Sequence, residues 1–272
     1  MVTMAEETAK GADNVAFRSR FYRNGPDHGT GEPIDFVQVR RRFDFCSIEI
    51  GPWVTRAERE RAAGLFFDAL CDLMLILQGP EPLISLRGTL SLQYGIGGRP
   101  GVSAHYNPAT RCFSLAKNAG PGSIAHEWFH AFDHYITDKA MCGTTRGTFA
   151  SRAWLNNARV IEHPLNARLF ACFKAILLDE SGQEPSRLFS VSAATDRRLG
   201  TLYYSQPEEV CARAFEAFVQ DSGIHNPFLV KGTRHSKEAQ MGLYPQEEQR
   251  AQINAAFEDY FRALGEALMR QG

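Results

Sequence analysis

The sequence is short of several features that would fix its class at once. It has no apolar run of the roughly 20 residues that a membrane-spanning helix needs; the densest stretch, Leu65–Leu77, is interrupted by Asp68 and Asp72. It has no charge surplus. Thirty Lys and Arg face 31 Asp and Glu, a formal net charge of −1, so no global basic field exists to hold nucleic acid or an anionic membrane, and neither is expected as a partner. The N-terminal residues lack the apolar segment of a secretory leader. None of the six cysteines stands in a CxxC pair, which removes zinc-ribbon and dithiol chemistry. With the missing leader, this predicts reduced thiols in a cytoplasmic protein. Internal repeats and low-complexity tracts are absent too.

What is present is the material of a globular protein. The 272 residues are 44% hydrophobic and 22% charged, enough to bury a large core. Residues 1–50 read as an N-terminal arm and a strand. The first 33 are rich in Gly, Asn, Asp and charge and predict a loosely held segment, after which Phe43–Ile50 alternates as a strand. Residues 51–272 read as one domain. Thr55 and Glu58 have capping-box spacing and open a helix that runs to Gln78. Leu83–Leu86, Leu90–Tyr94, Val102–Tyr106 and Arg111–Ala116 are short strand-like runs between glycine and proline signals. GIGGRPG at 95–101 lacks the GK[ST] and the helix start of a phosphate loop and is read as a strand connection. From Ser123 onward the pattern is helical, over roughly 123–138, 149–161, 164–178, 195–202, 207–221 and 245–269. A helix, a small sheet and then helices predict an α+β fold with a mainly helical C-terminal half.

The chemistry sits in IAHEWFHAFDHYI at 124–136. It contains HExxH. Two histidines four apart lie one turn apart on one helix face, so His126 and His130 can both reach one Zn²⁺. Glu127 projects beside them, able to take a proton from an activated water without being a ligand. The metzincin continuation would need Gly and His where the chain has Asp133 and Ile136, which excludes that class. His134 lies one turn beyond His130, too far from His126 to share the ion, and is read as peripheral. Asp133, three residues past His130, could orient its imidazole or simply be solvated.

A third ligand must come from elsewhere, and the stretch SQPEEVCARAFEAFVQ at 205–220 is the best source. Ser205 and Glu208 suit a helix start. Glu209, Arg213, Glu216 and Gln220 stack along one thin stripe of an otherwise apolar helix. Buried charges must be paired or bind metal, so the stripe is either an internal ion-pair ladder or a ligand source. Beside HExxH, Glu209 is favoured as third ligand and Glu216 is the runner-up. Tyr203 or Tyr204, just before this helix, could donate to the oxyanion of a tetrahedral intermediate, or could be a core contact. Glu162-His163-Pro164 is read as a helix boundary, and Arg40–Arg42 and Lys231, Arg234, His235 and Lys237 as solvated basic runs.

HEWFHAFDHYI and YYSQPEEVCARAFEAFVQD resemble the bacterial CLCA_X family, which is similar to the first large polyvalent protein-associated domain. FYRNGPDHG, WVTRAERERAAGLFFDALCDL, SAHYNPATRCFSLAKNAG and NPFLVKGTRHS extend the resemblance through most of the chain. A more distant similarity is to the zinc-binding domain of the anthrax lethal factor group, where HExxHAxD is followed by a helix whose ExxAxAF begins with the third ligand. His126, Glu127, His130, Ala131 and Asp133 match the first part. Glu209, Ala212, Ala214 and Phe215 match the second, which implies Glu209 as ligand; the group carries Glu where this chain has Arg213. The resemblance implies a zincin-like (gluzincin) α+β domain with a small twisted sheet. It also implies Zn²⁺ as cofactor and a peptide or protein as substrate. Arg111–Ala116, the last strand before the HExxH helix, is expected to be the edge on which an extended peptide docks.

Overall fold

The structure is a computed structural model that describes residues 22–29, 31, 33–96, 104–117 and 122–270. Its sheet is built from four short strands, β1 (Ile48–Ile50), β2 (Ser91–Tyr94), β3 (Ala104–Asn107) and β4 (Cys112–Leu115), in the order β1-β2-β4-β3. The first three in that order are parallel, and β3 closes the sheet antiparallel to β4. All four residues of β4, Cys-Phe-Ser-Leu, are buried, as an interior strand covered on both faces requires. The expected docking edge is therefore corrected. β4 is enclosed by β2 and β3, and the exposed rim belongs to β3, where half-buried Ala104 and Tyr106 alternate with exposed His105 and Asn107. Of the GIGGRPG connection, residues 97–101 lie outside the described residues.

Helix α1 (Phe36–Phe43) precedes β1, and of the strand expected over Phe43–Ile50 only Ile48–Ile50 forms, because Phe43 ends the helix and residues 44–47 make an irregular connection. Asp35 and Gln38 form a reciprocal capping box, and Arg40, Arg41 and Arg42 occupy the last turn, where cations meet the negative end of the helix. The Phe43/Phe45 alternation that mimicked a strand comes from a left-handed C-cap at Asp44 (φ 57°), with both rings buried. Helix α2 (Arg56–Ile76) starts at the expected Thr55–Glu58 box. Leu83–Leu86, expected as a strand, instead begins with the second half of the single-turn α3 (Glu81–Ile84), set by Pro82 at the helix start.

Helix α4 (Ile124–Ala140) follows the sheet. After it come α5 (Ala150–Leu155), α6 (Pro164–Leu177), α7 (Arg187–Leu199), α8 (Pro207–Asp221), α9 (Lys237–Gln240) and α10 (Glu247–Met269). Two expectations shift: α5 stops well before residue 161, and α7 starts at Arg187, capped by Ser186, rather than at Thr195. His163 does cap α6, accepting from the Leu165 amide at 3.1 Å. Helices α4 and α8 pack side by side. Trp128, Phe129 and Phe132 interleave with Phe215, Phe218, Phe257 and Phe261 from α8 and α10, and Ala212, Ala214 and Ala217 are fully buried in the same helix. This apolar contact fixes the rotation of both helices, so their polar stripes must face one another. Among the described residues no helix is long and apolar enough to cross a membrane. All six cysteines are free, Cys46 and Cys142 exposed and the rest buried.

Two charge hubs, one buried and one half-buried, tie the fold together. Asp72, wholly buried in α2, accepts from Arg23, from His28 at 2.9 Å and from Asn226 at 2.8 Å. Residues 22–29 are thus pinned, not loosely held as the composition suggested. The second hub is Asp221 at the end of α8, which takes Nε and Nη2 of buried Arg250 from α10 at 2.6 and 2.8 Å, plus Arg234 and Asn254. Burial opposes its charge, but Arg250, Arg234 and Asn254 outweigh it and lower the carboxyl from 3.8 to about 2. A depressed folded-state pKa contributes stability that is complete above the unfolded value and lost as pH falls through the folded one. An acid-unfolding series should therefore show wild-type stability declining from just below pH 4 towards pH 2. Asp221→Asn should remove about 1–2 kcal/mol of that pH-dependent part, allowing for solvent screening. Equal slopes in the two proteins would contradict this assignment.

Candidate metal centre

The polar faces of α4 and α8 meet in a cleft of about 870 Å³, bordered by β3 and by the loops before α8 and after α9. At its floor His126, His130 and Glu209 converge, each offering a ligand atom within 4.8 Å of the others. His126 Nε2 and His130 Nε2 are 3.0 Å apart. The Glu209 carboxylate straddles them, with Oε2 3.4 Å from His126 and Oε1 3.3 Å from His130. Ligand atoms about 2.0–2.1 Å from a tetrahedral zinc stand about 3.3–3.4 Å from each other, so the triangle has the dimensions of three corners of such a shell. Glu209 Oε2 is buried with no hydrogen-bond partner among the described residues. The His126 ring at 3.4 Å and the Arg213 guanidinium at 3.7 Å offset its charge without hydrogen-bonding to it, and a bound cation would relieve the remaining cost of burying it.

The field points the same way. Burial disfavours charge on His126, yet Glu216 and Glu209 outweigh it and hold the imidazole pKa well above its ordinary value. Burial also works against ionised Glu209, and the two imidazoles overcome it, holding this carboxyl far below the usual range. Both shifts express one interaction, a negative pocket that draws positive charge to its centre. Glu127 is buried on the same helix and lines the cleft. Burial raises its pKa against the opposing pull of His126 and His130.

The remaining expected residues separate into those the fold brings to the cleft and those it does not. Glu216 stands behind His126, its Oε2 3.0 Å from Nδ1; it backs the imidazole and is not a third corner of the triangle. Arg213 reaches to 3.7 Å from Glu209 Oε2, while its Nε donates to the Leu243 carbonyl at 3.0 Å and its Nη2 to that of Tyr204. The Glu209–Arg213 half of the imagined ladder exists, therefore, but Arg213 is spent mainly on backbone. Tyr203 lines the cleft, and burial followed by the charge and hydrogen bonding of Glu209 raises its hydroxyl pKa. Tyr204 also borders the cleft, with the Arg213 guanidinium 5.6 Å from its ring centre.

Asp133 corrects an expectation. Its oxygens accept from the Ser151 amide at 2.8 Å and hydroxyl at 2.5 Å, so it fastens α5 to α4 and leaves His130 Nδ1 without a partner among the described residues. Burial pushes its carboxyl up to about 6. His134 turns to the Tyr106 hydroxyl at 2.7 Å, away from the triad. Ser205 and Glu208 do not cap α8, whose N-cap is Gln206. Ser205 donates to Asp196, and Glu208 pairs with Arg152.

Sequence reasoning missed two residues. Tyr244, from the loop after α9, donates to Glu216 Oε2 at 3.2 Å and completes a chain Tyr244–Glu216–His126. Asp196 of α7 accepts from the amides of Tyr203, Tyr204 and Ser205 and shapes the loop that carries both tyrosines. Neither has a local signal, since each acts on a segment separated from it by a turn or a whole helix. Residues 195–268 match the large polyvalent protein-associated domain 1. That segment runs from the end of α7 through most of α10 and carries Glu209, Arg213, Glu216, Tyr203, Tyr204 and Tyr244; the HExxH helix precedes it. Searches of curated proteins and of solved structures give no match.

Proposed function

We propose that the chain is a zinc-dependent peptidase of zincin-like fold. The observation that carries the reading is the triangle of His126, His130 and Glu209, of the size and donor chemistry a tetrahedral zinc takes. These three residues would hold the ion. When bound, it supplies Lewis-acid polarisation of a carbonyl and acidification of a water. Glu127, desolvated and held beside the triad, takes the proton of the attacking water and delivers it to the departing amine. Tyr203, whose raised pKa keeps its hydroxyl protonated, donates to the carbonyl oxygen as negative charge develops there. The exposed rim of β3, bordering the same cleft, is the edge on which an extended peptide adds as a strand.

A second reading, a zinc-binding interaction module that cleaves nothing, is favoured by one observation. Arg213, 3.7 Å from Glu209, competes for the charge that a catalytic ion would use. The test is a broad peptide library offered to zinc-loaded wild type and to Glu127→Gln. Cleavage lost in the variant with zinc retained supports the peptidase, and no cleavage by zinc-loaded wild type across a wide pH range supports the module. In either case Tyr244→Phe should weaken zinc binding by about tenfold, the usual consequence of loosening the partner behind a ligand imidazole. A competitive chelator titration measures this, and an unchanged affinity would remove Tyr244 from the account.

A further inference from the structure

On the side of α4 away from the triad lies a second cavity, of about 270 Å³. Its walls are apolar, from Leu83, Leu86, Phe132, Ile136, Tyr260 and Leu264, and none of the described side chains lining it is acidic. The charges it does present are basic, Arg87 and Lys139, with His163 beside them. The Lys139 ammonium lies 3.6 Å from the centre of the Tyr135 ring and donates to the Tyr135 carbonyl at 3.3 Å. A lysine in the last turn of a helix is favoured by the helix dipole alone, but that does not explain why two further cations bear on it. Burial first, and then the fields of Arg111 and Arg87, hold this amine below its ordinary range, with neighbouring Asp138 pulling the other way. The backbone adds an independent sign. Leu86 and Arg87, adjacent and both lining the cavity, sit at φ 54° and 58°. Such left-handed conformations are sparsely populated for residues other than glycine and concentrate where a fold presents side chains for use.

We infer that this cavity binds a small monocarboxylate with an apolar body, its tail among the leucines and aromatics and its carboxylate against Lys139. At about 30 Å³ for a water-sized atom, the volume accommodates about nine heavy atoms, one fewer than octanoate has, so that its carboxylate stands at the mouth beside Lys139. The inference does not depend on the metal or on proteolysis. Calorimetric titration of the full chain with octanoate, 1-octanol and acetate tests it. Octanoate should bind saturably. 1-Octanol, with the same tail and no charge, should bind about tenfold more weakly, and acetate, with charge and no tail, should show no saturation. Lys139→Met should bring octanoate down to the level of 1-octanol. Leu264→Trp, which fills the cavity, should abolish binding of both while circular dichroism shows an unchanged helix content. Octanoate binding no tighter than 1-octanol, unchanged in Lys139→Met, or absent from wild type would each overturn the inference. If Leu264→Trp fails to fold, the Lys139→Met comparison decides alone.

Discussion

Asp72→Ala is expected to destabilise the protein by about 3–5 kcal/mol, the loss that follows when one partner of a buried ion pair is removed and the other is stranded. Asp72 is fully buried and bound by Arg23, His28 and Asn226. Without it the Arg23 guanidinium loses its paired carboxylate and keeps the Pro26 carbonyl and the field of Asp68. The consequence extends towards the proposed metal site. Asn226 also accepts from the amides of Phe228 and Leu229, and the Leu229 carbonyl in turn accepts from Ala125 in the first turn of α4. The arm, α2 and the loop after α8 therefore meet at one carboxylate and brace the start of the HExxH helix. Because the whole folding free energy of a domain is only about 5–15 kcal/mol, the variant should show a large fall in urea midpoint. Asp72→Asn, which keeps some hydrogen bonds, should fall less. A change below about 1 kcal/mol in Asp72→Ala would mean that the arm is not anchored in solution.

Glu127→Gln is expected to lower turnover by about 10²–10⁴-fold, the contribution of a positioned acid–base group. It should leave zinc affinity within the range of wild type, because Glu127 is not one of the three residues of the triangle. Its carboxyl is desolvated and has its pKa raised by burial, though His126 and His130 oppose that shift, which moves a weak carboxylate base towards the strength that proton transfer near neutrality requires. The carboxamide introduced by the substitution would match the shape of the carboxylate but accept no proton. Steady-state kinetics on a cleaved library peptide, with metal content measured on the same samples, separates the two roles. A variant that turns over like wild type would remove Glu127 from the chemistry, and one that loses zinc as well would place it in the metal site instead.

The features legible in the sequence were those with a local cause. The Thr55–Glu58 box, the one-turn spacing of His126 and His130 and the thin charged stripe Glu209–Arg213–Glu216 each follow from helix geometry and lie where the sequence pattern put them. The sheet was harder. Strands of three or four residues carry too little alternation to be told from a helical turn, so Leu83–Leu86 read as strand and Phe36–Phe43 went unseen. Which strand forms the edge is a matter of pairing, not of local pattern, and β3 rather than β4 occupies it. In the site, spacing placed Asp133 on the His130 face, yet the fold spends it on Ser151. The carboxylate that does back an imidazole, Glu216, was legible as a member of the stripe but not in that role. Tyr244 and the Asp72 hub were beyond reach because each joins segments far apart in the chain through side chains that local patterns do not pair, and Asp196 because no pattern marks it as the acceptor for the amides of Tyr203, Tyr204 and Ser205 just beyond the end of its own helix.

The most direct measurement is elemental analysis of metal after dialysis against a weak chelator, on wild type beside His130→Ala and Glu209→Ala. Wild type is predicted to retain a single equivalent of zinc per chain, and both variants are predicted to lose it while remaining folded. A wild type that retains none, or a Glu209→Ala variant that keeps its full equivalent, would contradict the assignment of the triangle as a metal site.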